Sequence, residues 1–305
     1  TAATLLIQRV FQHLGKTVGA LSDLCFDNGK DVADFPEIKP DAKIYANWLG
    51  AMVTNNCQLA CIELNQVDLA DHTSASIELD YAVITRLTDF QSDSRNTFQQ
   101  TQRATVNSIK SLKPTGVIII NADDAASRFD LPRIESPILT IGSNDDCDIW
   151  LEHLNHSVAG QRFRLHAGST QAVVFTPIIG HHHVYHCLQV TALGLLEGYS
   201  LVEIAEAIGQ VDLIQGHLER IARGQDFEVF IDAANSPITL RNALHSVRQI
   251  TTGRLIVVYG PGANTEAPFR AEMGRIAEKA ADITIITENN PANEETLEIA
   301  HDVLD

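Results

Sequence analysis

The chain has 305 residues, and 45% of them are hydrophobic, which is enough for two ordinary domains with cores. A formal net charge of -17 excludes a sequence-independent nucleic-acid binder, because such proteins need a basic face to displace counterions from phosphates. We expect no membrane partner and no secretory leader, since apolar runs of about eighteen residues are absent. The five cysteines, an odd number, are expected to be reduced thiols of a cytoplasmic protein.

The first half of the chain alternates helices with apolar runs. Apolar residues at helical spacing between Leu5 and Leu14 predict a helix, and residues 16–21 predict a buried strand. A second helix is predicted at 42–56, and further strands are predicted at 57–64, 81–87 and 116–124. Continuous apolar runs between helices are typical of a parallel sheet that is covered on both faces.

The middle of the chain has a different pattern. Residues 139–177 are short, alternating and separated by turns, which predicts an antiparallel patch added to the sheet. The helical period then returns from His181 to Gly198. A second helix follows, where Ser200 and Glu203 have the spacing of a capping box.

From about Gln215 three strand and helix pairs follow one another, with strands at 228–234, 253–262 and 282–290. This is the pattern of a second doubly wound domain. We therefore predict an α/β fold of two doubly wound domains with mainly parallel sheets, the first of which carries the antiparallel patch. The hinge is expected near residues 211–216.

Residues just after the apolar runs are the candidates for chemistry, since ligands collect beyond the carboxyl ends of strands in open α/β sheets. They are Glu63, Asp89, 121–124, 232–237, 260–264 and 288–291. Structural explanations stay open: a strand-ending turn at 123–124, a solvated Glu63, a tight turn at 260–262 and a helix cap at 232–237.

Six segments in this order resemble the Mur ligases, most closely the UDP-N-acetylmuramyl tripeptide synthetases. They are residues 117–124, 180–208, 216–221, 232–244, 255–274 and 287–295. The resemblance implies a central ATP-binding domain at 1–214, which lacks its phosphate loop, and a C-terminal domain at 215–305, which is expected to be truncated. It also implies an enzyme that activates a carboxylate as an acyl phosphate and joins it to an amine, with ATP and magnesium as cofactors.

The resemblance assigns roles to individual residues. Thr1 falls directly after the lysine of the family's phosphate loop, and Glu63 corresponds to a glutamate that binds magnesium. The implied catalytic residues are Glu63 and Asn235, the nucleotide-binding residues are Thr1, His183, His186, His217 and Asp232, and the substrate-binding residues are Arg270 and Asn290.

The chain also departs from the family pattern. Histidines 181, 182, 183 and 186 stand where the family has asparagines that reach the adenine. Polar groups of the reaction are replaced at five further positions, which are Phe90, Thr105, His217, Asn235 and Ala292. The loss of an arginine at Ala292 makes diaminopimelate a poor candidate for the amine.

Three hypotheses remain open. The first is a working ligase with small-molecule carboxylate and amine substrates in cell-wall-precursor synthesis. The second is a catalytically inactive relative that serves as a scaffold for a protein partner. The third is a metal-binding regulator in which His182 and His186, at i and i+4, recruit further ligands such as His153, His156 or His166.

Overall fold

The computed structural model describes residues 1–34, 42–64, 77–85, 105, 109, 111–124, 135–262, 265–291 and 294–304. The chain divides into two compact units. Unit 1 contains Thr1–Asn155, Arg162–Pro177 and His183–Asp212, and unit 2 contains His156–Gln161, Ile178–His182 and Leu213–Asp305.

Unit 1 begins with helix α1 (Ala2–His13), whose apolar side is buried against the following strand. Strand β1 (Val18–Leu21) pairs with β4 (Leu59–Ile62) in parallel and with β2 (Cys25–Asp27) antiparallel. The edge strand β3 (Val32–Asp34) completes a sheet of order β3-β2-β1-β4. Helix α2 (Ala42–Thr54) packs through Tyr45 and Met52 on Leu21 and Phe26. The predicted helix and strand alternation is confirmed here, whereas the β2–β3 hairpin was not foreseen.

A second sheet of unit 1 has the order β10-β9-β8-β7-β6-β5. Strands β5 (Leu79–Ile84), β6 (Leu112–Asn121) and β7 (Ile138–Gly142) are parallel neighbours. Strand β8 (Ile149–Ser157) also starts in parallel with β7. Side chains of Ile118, Ile119 and Ile120 on β6 are almost fully buried, as expected for a covered parallel strand.

The antiparallel patch therefore starts later than the expected Leu139. Two-residue turns connect β8 to β9 (Gly160–Ala167) and β9 to β10 (Thr170–Thr176), and such short connections can join only antiparallel neighbours. Strand β7 belongs to the parallel part of the sheet. The loop 143–148 returns the chain along β7, so that Ile149 at the start of β8 lies beside Ile141 and the two strands run parallel. Asp148, at the end of that loop, accepts from the amide and the hydroxyl of Thr140 on β7, at 2.8 and 2.7 Å.

Helices α3 (His181–Leu196) and α4 (Leu201–Gly209) follow the second sheet. The predicted capping box is confirmed: Ser200 Oγ accepts from the Glu203 amide, and the Glu203 carboxylate accepts from the Ser200 amide at 2.8 Å. Helix α4 packs against β10 and against α1, which places it on the core of unit 1.

Unit 2 holds the short antiparallel pair β11 (Glu219–Arg220) and β12 (Phe230–Ile231) and the parallel pair β13 (Ile256–Tyr259) and β14 (Ile283–Ile286). Helix α5 (Pro237–Ile250) packs on α6 (Ala267–Ala280), which packs on α7 (Thr296–Leu304). Their core contains Leu240, Leu244, Met273 and Ile276. The predicted strand at 228–234 is shorter than expected, since only Phe230–Ile231 pairs.

Two expectations from composition can be compared with the structure. All five cysteines are described and all are free thiols. Among the described helices, none combines the length and the apolar character that crossing a bilayer requires.

Candidate functional site

The site is anchored by a hydroxyl and a carboxylate at the edge of the first sheet. Thr1 is the N-cap of α1, and Glu63 follows directly after β4, the parallel neighbour of β1. Thr1 Oγ1 donates to Glu63 Oε1 at 2.7 Å. Glu63 Oε2 accepts from the Asp23 amide at 3.2 Å, which orients the carboxylate towards the helix N-terminus. The sequence predicted both residues, and the structure brings them together.

This pair has the donor set of a magnesium site. Magnesium prefers hard oxygen ligands and is usually bound by one or two carboxylates together with substrate phosphates. In phosphate-loop nucleotide hydrolases, a Ser or Thr hydroxyl and an acidic residue at a strand end fill this role. Thr1 and Glu63 supply both groups, so these residues fit the ion that the resemblance implies.

A second group of polar contacts lies at the ends of β6 and β7. Asp123 Oδ2 accepts from the Ser143 amide at 2.7 Å and from the Tyr185 hydroxyl at 2.8 Å. Asp123 therefore joins two strand ends to the first turns of α3. The sequence had singled out Asp123 and missed its partner Tyr185, whose position between His183 and His186 on a predicted helix was the available signal.

The four neighbouring histidines at the start of α3 have different environments. His181 is exposed, His182 and His186 are half-buried, and His183 is 2% exposed. His183 Nε2 lies 3.4 Å from Thr176 Oγ1 and 3.6 Å from Cys187 Sγ. His183 is thus a buried histidine with internal polar neighbours, and its contact with a nucleotide stays a prediction. His186 packs its ring edge to face with His183, with centroids 6.2 Å apart, and keeps a partly exposed surface.

The hypothesis of a metal-binding regulator requires several metal ligands close together, and the described residues do not provide such a group. In the described part of the chain, no three His, Cys, Asp or Glu side chains come together as metal ligands. One of the expected ligands, His166, instead stacks on Trp150 with ring centroids 3.8 Å apart and an interplanar angle of 3°.

In unit 2 the predicted nucleotide-binding residue His217 lies in a turn that the carboxylate of Asp232, another predicted nucleotide-binding residue, holds by a hydrogen bond. Asp232 Oδ2 accepts from the Leu218 amide at 2.9 Å, and Oδ1 accepts from the Ala234 amide at 2.9 Å. Burial nevertheless raises the pKa of Asp232. The backbone has a positive φ at Gly216 (67°) and at Leu218 (48°), and a positive φ is unfavourable for leucine. The hydrogen bond from the Leu218 amide to Asp232 stabilises this conformation. His217, between Gly216 and Leu218, is half-buried.

Asn235 is exposed two residues before α5 begins at Pro237. Ser236 caps the helix by accepting from the Thr239 amide, and Pro237 occupies the first turn. The segment 232–237 therefore caps the helix and also holds Asn235 at an exposed position just before it.

Arg270 is bound by acidic side chains within unit 2. Its side chain is 4% exposed, and its guanidinium forms a double hydrogen bond with Glu294, at 2.8 and 2.9 Å. Asp302 Oδ2 accepts a third bond from Nη1 at 2.8 Å. Two carboxylates, on the segments before and within α7, therefore bind the guanidinium, and the binding of a substrate carboxylate by Arg270 stays a prediction.

The ends of β13 and β14 form a pocket of about 230 Å³ in unit 2. A side chain at Gly260 would clash with the carbonyl oxygen of Thr287, so glycine permits the close approach of the two strand ends. Asn290 is exposed beside this pocket with a positive φ of 49°, a conformation that asparagine tolerates. Asp89, Phe90 and Ala292 lie outside the described residues, and Thr105 is half-buried.

Comparisons with known proteins agree with this architecture. Residues 1–194 match the family model of the Mur ligase middle domain, and residues 216–304 match that of the Mur ligase glutamate ligase domain. A UDP-N-acetylmuramoyl-L-alanyl-D-glutamate–2,6-diaminopimelate ligase from Geobacillus kaustophilus is 27% identical over 310 residues, which cover 99% of this chain and 63% of that protein. The chain thus spans less than two thirds of the length of this curated relative.

Solved structures show the same fold. MurF from Acinetobacter baumannii has a TM-score of 0.78 at 18% identity, covering 100% of this chain and 62% of that chain. The MurF ligase from Thermotoga maritima in complex with ADP has a TM-score of 0.71 at 13% identity, covering 98% of this chain and 65% of that chain. Because the two family models together match most of its length, the chain belongs to the Mur ligase family.

Proposed function

We propose that this chain is the ATP-binding and amine-binding part of an ATP-dependent ligase that joins a carboxylate to an amine in cell-wall-precursor synthesis. The observation that carries the proposal is the contact between Thr1 Oγ1 and Glu63 Oε1 at the N-terminus of α1. A helix N-terminus favours phosphate through its unpaired amides and its dipole. A hydroxyl and a carboxylate at the same place provide the oxygen ligands for the accompanying magnesium.

We assign residues 1–214 as the central ATP-binding domain and residues 215–305 as the C-terminal domain. Thr1 and Glu63 hold magnesium, and His186 contacts the nucleotide. His217 and Asn235, which the turn of Asp232 supports, contact phosphate. Magnesium, when bound, neutralises charge on the phosphates during transfer.

The proposed reaction proceeds in two steps. A substrate carboxylate oxygen attacks the γ-phosphorus of ATP, and the bond to ADP breaks, which leaves an acyl phosphate. The acceptor amine then attacks the acyl carbon, the carbon–phosphate oxygen bond breaks, and the amine loses a proton as the amide forms. Protein groups contribute mainly by positioning and by stabilising charge, since phosphoryl transfer needs little further chemistry from them.

Phosphate release from ATP by the full-length protein tests the proposal. UDP-N-acetylmuramoyl-L-alanyl-D-glutamate is the first carboxylate to test, because it is the substrate named for the Geobacillus relative. The proposal predicts release that requires both the carboxylate and an amine. ATP binding without amine-dependent turnover across a panel of amines would instead favour an inactive scaffold.

A further inference from the structure

Strand β10 (Thr170–Thr176) forms one edge of the second sheet of unit 1. It pairs with β9 on one side, and no described strand lies on its other side. The backbone amides and carbonyl groups of an edge strand that point away from the sheet are a ready template for another strand. Along its open side, β10 can therefore accept a further strand.

The sequence of β10 lacks the residues that usually protect an edge. Proteins block edge strands with charged side chains, with proline or by other means. Strand β10 contains neither a charged residue nor a proline, and the uncharged run extends from Ala167 to Gly180. At the opposite end of the same sheet, β5 carries Asp80, which binds Lys113 at 2.7 Å. Of these two edges, β10 is therefore the one that is open to pairing.

The side chains of β10 also favour pairing. Val173 and Phe175 are 55% and 43% exposed, although both are apolar. Val174, between them, is fully buried, and α4 packs against the strand. Valine and phenylalanine are enriched in strands because they fit a pleated, half-buried surface. An added strand would remove part of the exposed apolar surface from water.

The end of α4 limits the length of the open edge. A Cβ atom at Gly209 would lie 3.0 Å from the carbonyl oxygen of Phe175, so this glycine lets α4 approach the strand closely at that point. The part of the edge that remains open is Thr170–Val174. It has about five residues, which is a usual length for a strand.

We propose that this open edge pairs with the same strand of a second copy of the chain. The two strands run antiparallel and are centred on Ala172, so that Gln171 of each copy lies beside Val173 of the other. Such a contact has twofold symmetry, which is the commonest symmetry of homo-oligomers. The inference is independent of the proposed function.

Charge is the reason to expect a second copy at this edge. A net charge of -17 makes copies of the chain repel one another over most of their surface. Like charges directly opposite each other also destabilise a strand pair. Two uncharged strands avoid both penalties, since neither brings a charge to the contact.

Sedimentation of the full-length protein over a range of concentrations tests the inference. We expect a monomer–dimer equilibrium with a dissociation constant of about 10–100 μM, because a single strand pair buries less surface than a stable interface. Hydrogen exchange of the β10 amides is followed at the same concentrations. Exchange should slow at least about threefold in β10 as the dimer forms, and it should stay unchanged in β8.

Two variants distinguish the edge from the exposed face of the sheet. Val173→Lys places like charges near each other in the paired strands and is expected to weaken the dimer at least about tenfold. Leu154→Lys adds the same charge on β8, which lies inside the sheet, at a side chain that is 41% exposed. This control lowers the net negative charge equally and is expected to leave dimerisation unchanged. Thermal unfolding verifies that both variants fold.

A full-length protein that stays monomeric at about 1 mM overturns the inference. An equal loss of dimer in both folded variants overturns it too, because the contact would then involve the face of the sheet. A dimer that forms without slower exchange in β10 has its interface elsewhere and also contradicts the pairing.

Discussion

Thr1 Oγ1 and Glu63 Oε1 are 2.7 Å apart although 62 residues separate them in the chain. The parallel pairing of β1 with β4 places the end of β4 beside the N-terminus of α1, where Glu63 Oε1 also binds the amino group of Thr1. The pair unites the hydroxyl and the carboxylate on which the proposed ATP chemistry depends.

Glu63→Gln is predicted to slow turnover and to shift its magnesium dependence to higher magnesium concentrations. The substitution keeps the shape of the side chain but removes the charge that binds the ion, which costs about 1.5–3 kcal/mol, or roughly 10- to 100-fold in rate. The measurement is the rate of phosphate release as magnesium is varied. Glu206→Gln, on the exposed side of α4, is the matched control. A Glu63→Gln protein with the rate and magnesium response of the unaltered protein would remove Glu63 from the site.

His217→Arg is predicted to tighten ATP binding above pH 7. Histidine is mostly neutral there, whereas a guanidinium stays charged and holds phosphate with two bonds. We expect a gain of roughly three- to tenfold, read from displacement of a fluorescent nucleotide. Unchanged or weaker binding by a folded variant would mean that position 217 faces no phosphate.

Asp232→Asn is predicted to destabilise unit 2 by about 1–2 kcal/mol, measured by urea unfolding. Both carboxylate oxygens accept from backbone amides, and asparagine offers only one acceptor. The pH dependence also has a definite sign. Burial raises the pKa of Asp232 above its usual 3.8, so ionisation of this group lowers stability as the pH rises above that value. The stability of the Asp232→Asn variant should not change with the ionisation of this group. The same dependence of stability on pH in both proteins would contradict the prediction.

Ser236→Ala is predicted to destabilise α5 by about 1 kcal/mol. The hydroxyl satisfies the Thr239 amide, and Ser236 is 4% exposed, so water cannot readily replace it. Thermal unfolding of Thr252→Ala, an exposed position just beyond the helix, provides the comparison. Equal melting temperatures for the two variants would show that the cap contributes little.

Arg270→Leu is predicted to lower the melting temperature by about 5 °C or more, since it leaves two carboxylates without their cation. The hydrogen bonds from Arg270 hold the pKa of Glu294 below its usual 4.5. This stabilisation is present above pH 4.5 and is lost as the pH falls through the lowered pKa. The variant should therefore lose less stability on acidification than the unaltered protein. If the variant and the unaltered protein lost stability equally on acidification, the predicted contribution of the ion pair would be contradicted.

Local sequence patterns predicted much of the fold. The capping box of Ser200 and Glu203 involves only two residues that are three positions apart, so it can be predicted from the local sequence alone. The partners of Arg270 are 24 and 32 residues away, and only the packing of α6 and α7 brings them together. The burial of His183 could have been anticipated, because it shares a helix face with Cys187 and Val190, both fully buried. The motif comparison gave His183 and His186 the same role, although the structure gives them different environments.

ATP binding by the full-length protein, measured by calorimetry with and without magnesium, tests the central claim most directly. The proposed ligase predicts micromolar binding that weakens when magnesium is withheld, because Thr1 and Glu63 act on the nucleotide through the ion. Absence of binding at millimolar ATP, with or without magnesium, would contradict it and would direct the search to a protein partner.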